Sequence, residues 1–222
     1  MGALQQLDVE AIAKMERRNR ARFVNSLSGF KSINLCGTVN REGVTNLSLI
    51  NSVVHIGADP ALMGFIMRPV TVRRDTYANI METGYYTFNH LNAEIFEQAH
   101  QTSARYPLDV SEFAATTLTE IYSDRLSAPY VAESQVRVGL SFAQKIPIPL
   151  NGTLLMIGKI EEVFFPETAL QPDGFLDIQS AGSITSSSLD AYYRTQPLAR
   201  LSYAKPDRPV RQIHSNNTKP LS

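Results

Sequence analysis

Hydrophobic and polar positions alternate along much of the middle of this chain, which predicts β-strands there. Residues 32–39 alternate apolar side chains with polar or small ones, and residues 136–142 show the clearest alternation. A period of two is typical of a strand with one buried face. The continuous apolar run 61–67 instead predicts a strand that is buried on both faces. Further strands are expected over 44–56, 85–91, 153–165 and 175–178.

Turn and helix signals separate these strands. The sequences Asn40-Arg41-Glu42-Gly43 and Asn151-Gly152 predict hairpin turns, Pro147 is expected to bend or end its strand, and a bulge is expected near Gly158. Asp75 or Thr76 is expected to cap a helix that ends at Gly84. The helical patterns cover 8–22, 75–83, 92–105 and a stretch that begins near Ser188.

The order of these elements predicts the architecture. Six or seven strands and three or four short helices follow one another without an internal repeat or an alternating βαβ rhythm. Such an order is typical of a mainly antiparallel barrel or sandwich with helices outside, and it argues against a doubly wound parallel sheet.

Composition narrows the functional class. Of the 222 residues, 43% are hydrophobic, which is enough for one sizeable core. The 21 basic residues are balanced by 21 acidic ones, so a nucleic-acid binder is disfavoured because phosphate neutralisation needs surplus positive charge. The single Cys36 excludes a disulfide framework and fits a packed thiol in the cytoplasm. No signal peptide or membrane-spanning run is recognisable, so we expect no membrane partner.

Common catalytic motifs are missing from the sequence. It has no P-loop, no G-x-G-x-x-G and no G-x-S-x-G, and its four histidines are scattered without metal-ligand spacing. We therefore expect neither a metal site nor a catalytic side chain.

The segment 68–76 is a candidate anion site. It gathers three arginines and two threonines on a loop that opens a predicted helix. Helix N-termini offer free amides and a partial positive charge, and arginine offers forked donors that suit phosphate oxygens. The alternative is an ordinary surface loop with solvated arginines. Asp75 favours that alternative, because a carboxylate at the helix start competes with an anion.

The strand 45–52 is a second candidate binding element. It carries Asn46, Ser48, Asn51 and Ser52 without a clear exposed alternation. This pattern indicates either a strand that faces a groove with a polar ligand or an edge strand with one wet face, and the pattern alone favours neither.

Four motifs, in this order and at this spacing, resemble the flavin reductase-like family of FMN-binding split barrels. They are Gly43-Val44-Thr45-Asn46-Leu47-Ser48, Ala58-Asp59-Pro60-Ala61-Leu62-Met63, the arginine-containing segment 68–73, and the run RDTYANIMETGYYTFN at 74–89. Ala61 stands where the family has a second proline. The resemblance covers residues 30–205, which leaves an N-terminal helical extension at 1–29 and a polar C-terminal tail at 206–222. The tail would be either disordered or draped over a partner subunit.

The resemblance implies an antiparallel Greek-key split β-barrel with peripheral short helices, usually a homodimer with flavin at the subunit interface. It implies FMN, or FAD in some members, reduced by NADH or NADPH. The 46–53 strand would line the isoalloxazine through its backbone amides and the side chains of Asn46, Ser48 and Ser52. The 68–76 loop would hold the phosphate, and Arg74 would point elsewhere. The implied cofactor-binding residues are Asn46, Leu47, Ser48, Ser52, Val53, Arg68, Thr71, Arg73 and Thr76.

The resemblance also suggests candidate roles for five residues outside this set. Asn89 and His90 are candidates for a nicotinamide pocket, with a solvent-facing strand end as the alternative. Tyr192, Tyr193 and Tyr203 are candidates for covering the flavin, with core or interface packing as the alternative.

Three functional hypotheses follow. The first is an NAD(P)H-dependent flavin oxidoreductase, with a monooxygenase as a candidate partner that receives reduced flavin. The second is a flavin-binding electron carrier or redox sensor that does not turn over free flavin. The third is a barrel without flavin that serves as a protein-interaction module.

Overall fold

The computed structural model describes residues 3–107 and 109–213, and strands dominate them. In these residues the α-helices are Val9–Lys14 (α1), Arg17–Ser26 (α2), Asp75–Thr83 (α3), Phe96–Gln101 (α4) and Glu112–Thr116 (α5), and Glu167–Ala169 forms a 3₁₀ turn. The strands are Lys31–Ser32 (β1), Asn34–Val39 (β2), Thr45–Ile50 (β3), Val54–Ala58 (β4), Ala61–Met67 (β5), Tyr85–His90 (β6), Glu120–Ile121 (β7), Tyr130–Val131 (β8), Arg137–Ile148 (β9), Thr153–Phe164 (β10), Thr185–Ser187 (β11) and Ala191–Tyr193 (β12).

Seven of the strands form one antiparallel sheet that curls into a barrel. The strand order is β3-β2-β6-β9-β10-β5-β4. The ring centroids of Phe65 on β5 and Phe88 on β6 are 5.6 Å apart, although β9 and β10 lie between these strands in the sheet. In a flat sheet three strand spacings would separate them by about 14 Å. The mainly antiparallel barrel with outer helices is therefore confirmed.

Several local predictions are confirmed because short-range chemistry determines them. The side chain of Asn40 accepts hydrogen bonds from the amides of Glu42 and Val44 at 3.0 and 2.8 Å, which closes the β2–β3 hairpin. Helix α3 ends at Gly84, whose φ of 79° lies in the left-handed region that favours glycine. The register of β10 against β9 shifts between Ile157 and Gly158, which confirms the bulge.

Other predictions are corrected by pairing in three dimensions. The run 44–56 breaks into β3 and β4, the segment 175–178 forms only an isolated bridge between Leu170 and Leu176, and β9 continues through Pro147. The helix expected near Ser188 is instead a turn followed by β12, where Tyr192 pairs with Ser186 of β11. Strand β5 is not buried on both faces, because Ile66 is exposed.

The expected helices are also shorter than their sequence patterns. The segment 8–22 divides at Met15, and the carboxylate of Glu16 then caps α2 by accepting from the amides of Arg18 and Asn19. The segment 92–105 contains only α4, because the side chain of Asn92 accepts from the amides of Glu94 and Ile95 and holds a turn there.

The outer helices protect the edge of the barrel beside the polar strand. Strand β3 pairs with β2 alone, and α5 packs along its other side. The carboxylate of Glu112 on α5 accepts a hydrogen bond from the amide of Leu47 at 2.9 Å. Burial raises the pKa of Glu112, the hydrogen bond from Leu47 opposes that shift, and the nearby Asp75 charge adds to it. Across the described ranges, no helix has the length and apolar character that crossing a membrane requires.

Candidate functional site

A buried polar cluster joins helix α3 to the β2–β3 hairpin. Thr76 Oγ1 accepts from Asn46 Nδ2 at 3.0 Å and shares a hydrogen bond of 2.8 Å with Ser48 Oγ. Thr38 Oγ1 accepts from Asn46 Nδ2 at 3.3 Å and from Asn79 Nδ2 at 3.1 Å. The structure thus brings together Asn46, Ser48 and Thr76, three of the expected site residues. Their hydrogen bonds fix the position of the α3 N-terminus.

Sequence reasoning missed two members of this cluster, although signals for both were present. Thr38 lies directly opposite Asn46 in the hairpin register, and the turn at Asn40 already predicted that pairing. Asn79 lies one helical turn after Thr76 on α3, so the two side chains share a face.

The loop before α3 presents basic groups to solvent. Arg73 Nε donates to Asp75 Oδ1 at 2.6 Å, and Arg74 Nε donates to the carbonyl of Pro69 at 3.4 Å. Arg68 and Thr71 are exposed and pair with no side chain among residues 3–107 and 109–213. Arg74 occupies the position before α3 without a capping side chain, so the expectation that Asp75 or Thr76 caps the helix is wrong. The first amides of α3 therefore lack a side-chain acceptor.

The connection between β3 and β4 leaves consecutive backbone amides open. Asn51, Ser52 and Val53 lie outside both strands, and their amides donate to no residue in the described part of the chain. Amides without an internal partner are free to donate to water or to a ligand. The segment is held in place, because Asn51 Nδ2 donates to the carbonyl of Ser188 at 3.0 Å. Asn51 lies on the strand that was expected to bind a polar ligand, although it was not named among the implied cofactor-binding residues.

The open amides lie beside the basic loop. Ser52 Oγ donates to the carbonyl of Ile66 at 3.3 Å and accepts from the amide of Ile66 at 3.1 Å. Ile66 is two residues before Arg68, which begins the loop. The open amides and the arginines therefore border one surface, as expected for a ligand with a planar ring and an anionic end.

Two of the expected contacts are withdrawn from this surface. The side chain of Leu47 is fully buried, and its amide donates to Glu112. The side chain of Val53 packs in the barrel core. Leu47 thus supports the strand from the inside.

Arg73 also lines a polar cleft. The lining of this cleft includes Asn46, Arg73, Asp75, Asn79 and Glu112. Its two carboxylates disfavour a phosphate by like-charge repulsion.

Comparison with known proteins identifies the family. The sequence pattern of the flavin reductase like domain family matches residues 30–181. The chain belongs to this family. A crystal structure from Shewanella frigidimarina NCIMB 400, assigned as a flavin reductase with a split barrel domain, is 50% identical, with a TM-score of 0.87 over 90% of this chain and 100% of that one.

More distant structures share the fold. Nitrilotriacetate monooxygenase component B from Bacillus cereus is 20% identical, with a TM-score of 0.78 over 90% of this chain and 100% of that one. Flavoredoxin from Desulfovibrio vulgaris (Miyazaki F) is 23% identical, with a TM-score of 0.66 over 80% of this chain and 91% of that one. The expected split barrel is confirmed, and the family places the protein among flavin-related oxidoreductases.

Strand β6 of this flavin reductase-like protein does not supply the expected nicotinamide contacts. Asn89 is fully buried, donates to the carbonyl of Leu35 and to Thr87 Oγ1, and accepts from the amide of Val131, so its assignment to a pocket is wrong. His90 Nδ1 lies 2.9 Å from Ser183 Oγ, and burial lowers the pKa of His90 to about 4. Both residues connect the barrel to its outer layer.

The three candidate covering tyrosines have different surroundings. The hydroxyl of Tyr192 lies 2.7 Å from His100 Nδ1, and its ring packs on Phe96 of α4. The ring of Tyr193 meets Phe30 edge-on at 5.0 Å. Tyr203 is 88% exposed. Tyr192 and Tyr193 thus pack within the chain, whereas Tyr203 is free to contact another molecule.

Proposed function

We propose that this protein binds FMN and reduces it with a hydride from NADH or NADPH. The observation that supports this most directly is the run of open amides at 51–53, which borders the basic loop at 68–73. The amides suit the polar edge of an isoalloxazine ring, and the arginines suit the phosphate at the other end of the cofactor. FAD has the same ring and would fit the same amides.

The phosphate would be held by Arg68, Thr71, Arg73 and the first amides of α3. Arg73 keeps its terminal nitrogens for the ligand, because it binds Asp75 through Nε. Thr76 would act indirectly. Its hydroxyl is engaged with Asn46 and Ser48, and these hydrogen bonds set the position of α3. A single phosphate suits this loop better than a polyanion does.

The open amides would also favour the reduced cofactor. Reduction places negative charge on the pyrimidine side of a flavin, and fixed donors aimed at that side stabilise the charge. Bound flavin would supply the hydride-accepting chemistry, so no protein nucleophile would be needed. Cys36 fits this scheme, because burial raises the pKa of its thiol and keeps it unreactive.

The protein would work as a homodimer with the flavin at the subunit interface. Ile66, Leu155 and Ile146 are directly opposed on β5, β10 and β9, so they share the outer face of the sheet. Ile66 and Ile146 are exposed, and together these three form an apolar row next to Ser52. A second copy covering this row would border the open amides and enclose the ring of the cofactor.

The test is an anaerobic titration of the FMN-loaded protein with NADH and with NADPH. Loss of flavin absorbance faster than in a buffer control is the expected result. A protein that binds FMN but bleaches no faster than the control would be an electron carrier or sensor. A protein that binds no FMN would overturn the proposal.

The site of action and the recipient of electrons follow from this chemistry. NADH and NADPH are available in the cytoplasm, which we propose as the location of the protein. Reduced flavin that leaves the site would serve an oxygen-using acceptor such as a partner monooxygenase. Stimulation of the reductase by that acceptor would be the direct evidence.

A further inference from the structure

The segment 194–213, called here the C-terminal arm, contains a hairpin over residues 200–213. The amide of Ser202 donates to the carbonyl of Arg211 at 2.8 Å, and the amide of Ile213 donates to the carbonyl of Arg200 at 2.9 Å. Bridges join Leu201 to Gln212 and Lys205 to Arg208. The arm is thus ordered by its own hydrogen bonds.

Arg200, at the root of the arm, contacts other residues of its own chain. Arg200 forms an ion pair of 2.5 Å with Asp173, and its guanidinium lies 4.1 Å from the ring centroid of Phe175. On both sides of this root the apolar side chains are free. Leu198 is fully exposed, Tyr203 is 88% exposed, and Leu201 and Val210 are at least half exposed. An ordered element with this much free apolar surface indicates a docking partner.

The charge distribution identifies the kind of partner. The arm holds five basic residues against one acidic residue, whereas residues 30–193 hold 10 basic against 17 acidic residues, a net charge of −7. The overall neutrality of the chain therefore conceals a basic arm and an acidic body. Oppositely charged surfaces steer association and favour one partner over others. The acidic body of a second copy is such a surface.

We propose that the C-terminal arm of each subunit docks on the acidic body of a second copy of this chain. Leu198 and Tyr203 would supply apolar contacts, and Lys205, Arg208 and Arg211 would supply charge. This inference rests on the homodimer of the proposed function and adds an exchanged arm to it. Tyr203 would be the member of the candidate tyrosines that contacts the partner.

Cross-linking between isotopically distinct chains tests the exchange. Because Cys36 is the sole cysteine and is buried, a Tyr203→Cys variant can be labelled at one position with a photoreactive benzophenone. The labelled light chain is mixed with unlabelled heavy chain and irradiated, and the cross-linked peptides are identified by mass spectrometry. We expect the light arm to be joined to heavy peptides from residues 30–193. Cross-links confined to light peptides, with the dimer intact, would overturn the exchange. A Thr168→Cys variant carries the same label on residues 30–193 and measures how many cross-links arise from random collisions between chains.

Charge reversal provides an independent measurement. In the Lys205→Glu, Arg208→Glu, Arg211→Glu variant, we expect the dissociation constant of the dimer to rise about tenfold or more at low salt and by less at high salt. The control carries the same change of charge on the N-terminal helices, as Lys14→Glu, Arg17→Glu, Arg18→Glu. Equal weakening in both variants, or none in either, would contradict a role for the arm.

FMN binding by the same proteins separates the two proposals. Inter-chain cross-links without FMN binding would leave the exchanged arm standing and overturn the proposed function. If the protein bound FMN and formed a stable dimer without inter-chain cross-links, the exchange of the arm would be wrong and the proposed function would be unaffected.

Discussion

Arg68 and Arg73 are the residues on which the proposed phosphate site depends. Arg68 is exposed, and Arg73 is engaged only through Nε. Replacing either with alanine removes a charge-assisted contact, so we expect FMN to bind about 10-fold to 100-fold more weakly. Quenching of flavin fluorescence on binding measures this change.

A matched control for these variants is Arg41→Ala. Arg41 is also exposed, but it lies in the turn before β3, at the opposite end of that strand from the open amides. We expect its FMN affinity to equal that of the wild type. An equal loss in all three variants would mean that net charge, and not the loop, controls binding.

His90 makes the stability of the fold depend on pH. Burial lowers the pKa of His90 to about 4, so the unfolded chain takes up a proton there more readily than the folded one. Stability from this residue is complete above about pH 6.5 and is lost as the pH falls toward 4, by up to about 3 kcal/mol.

Urea denaturation at several pH values tests this dependence. A His90→Gln variant should lose less stability than the wild type between pH 7 and pH 4. The exposed His55→Gln variant should follow the wild type. If the stability of His90→Gln fell with pH as steeply as that of the wild type, His90 would not be the source of the pH dependence.

Helix α3 shows how one side chain positions an element. Thr76 Oγ1 bonds to both Asn46 and Ser48, so Thr76→Val leaves the buried amide of Asn46 without that acceptor. We expect a loss of about 1–3 kcal/mol in the free energy of unfolding and weaker FMN binding, because the start of α3 shifts. Thr76→Ser keeps the hydroxyl and should restore both. If Thr76→Ser remained as impaired as Thr76→Val, the hydroxyl would not be the cause.

Strand β10 depends on a glycine at its bulge. A Cβ at Gly158 would overlap the hydroxyl of Tyr86, which crosses the barrel at that point. We expect Gly158→Ala to destabilise the protein by at least about 1–3 kcal/mol, measured by urea denaturation. Gly57→Ala on β4 is the control, since a Cβ there would lie 3.4 Å from the carbonyl of Pro60. Equal stability of the two variants would show that the barrel adjusts at the bulge.

In the proposed homodimer, the apolar row on the outer sheet face would form the contact between the subunits. Ile66→Glu places a charge in the row formed with Leu155 and Ile146. We expect light scattering to show a shift from dimer toward the 24.6 kDa monomer, accompanied by loss of FMN affinity. Val44→Glu, at an exposed apolar position in the β2–β3 turn, should remain dimeric. A dimeric Ile66→Glu variant would place the interface elsewhere.

The sequence by itself determined the features that rest on local chemistry. Period-two alternation predicted the main strands, Asn40 predicted the first hairpin, and Gly84 predicted the end of α3, because hydrogen bonds and backbone sterics within a few residues decide each of them. The ordered motifs also pointed to the flavin reductase-like family, and the family match over 30–181 confirmed it.

Tertiary structure decided the rest, because the deciding contacts join residues far apart in the chain. Pairing with β11 made 191–193 a strand, and packing of α5 against β3 gave the amide of Leu47 a partner in Glu112. The sequence implied backbone amides somewhere in the 46–53 segment, and the structure shows that those of 51–53 are without an internal partner, because the chain leaves the β2–β3 ladder there. The neutrality of the chain likewise concealed a basic arm and an acidic body, since net charge adds over residues regardless of where they lie.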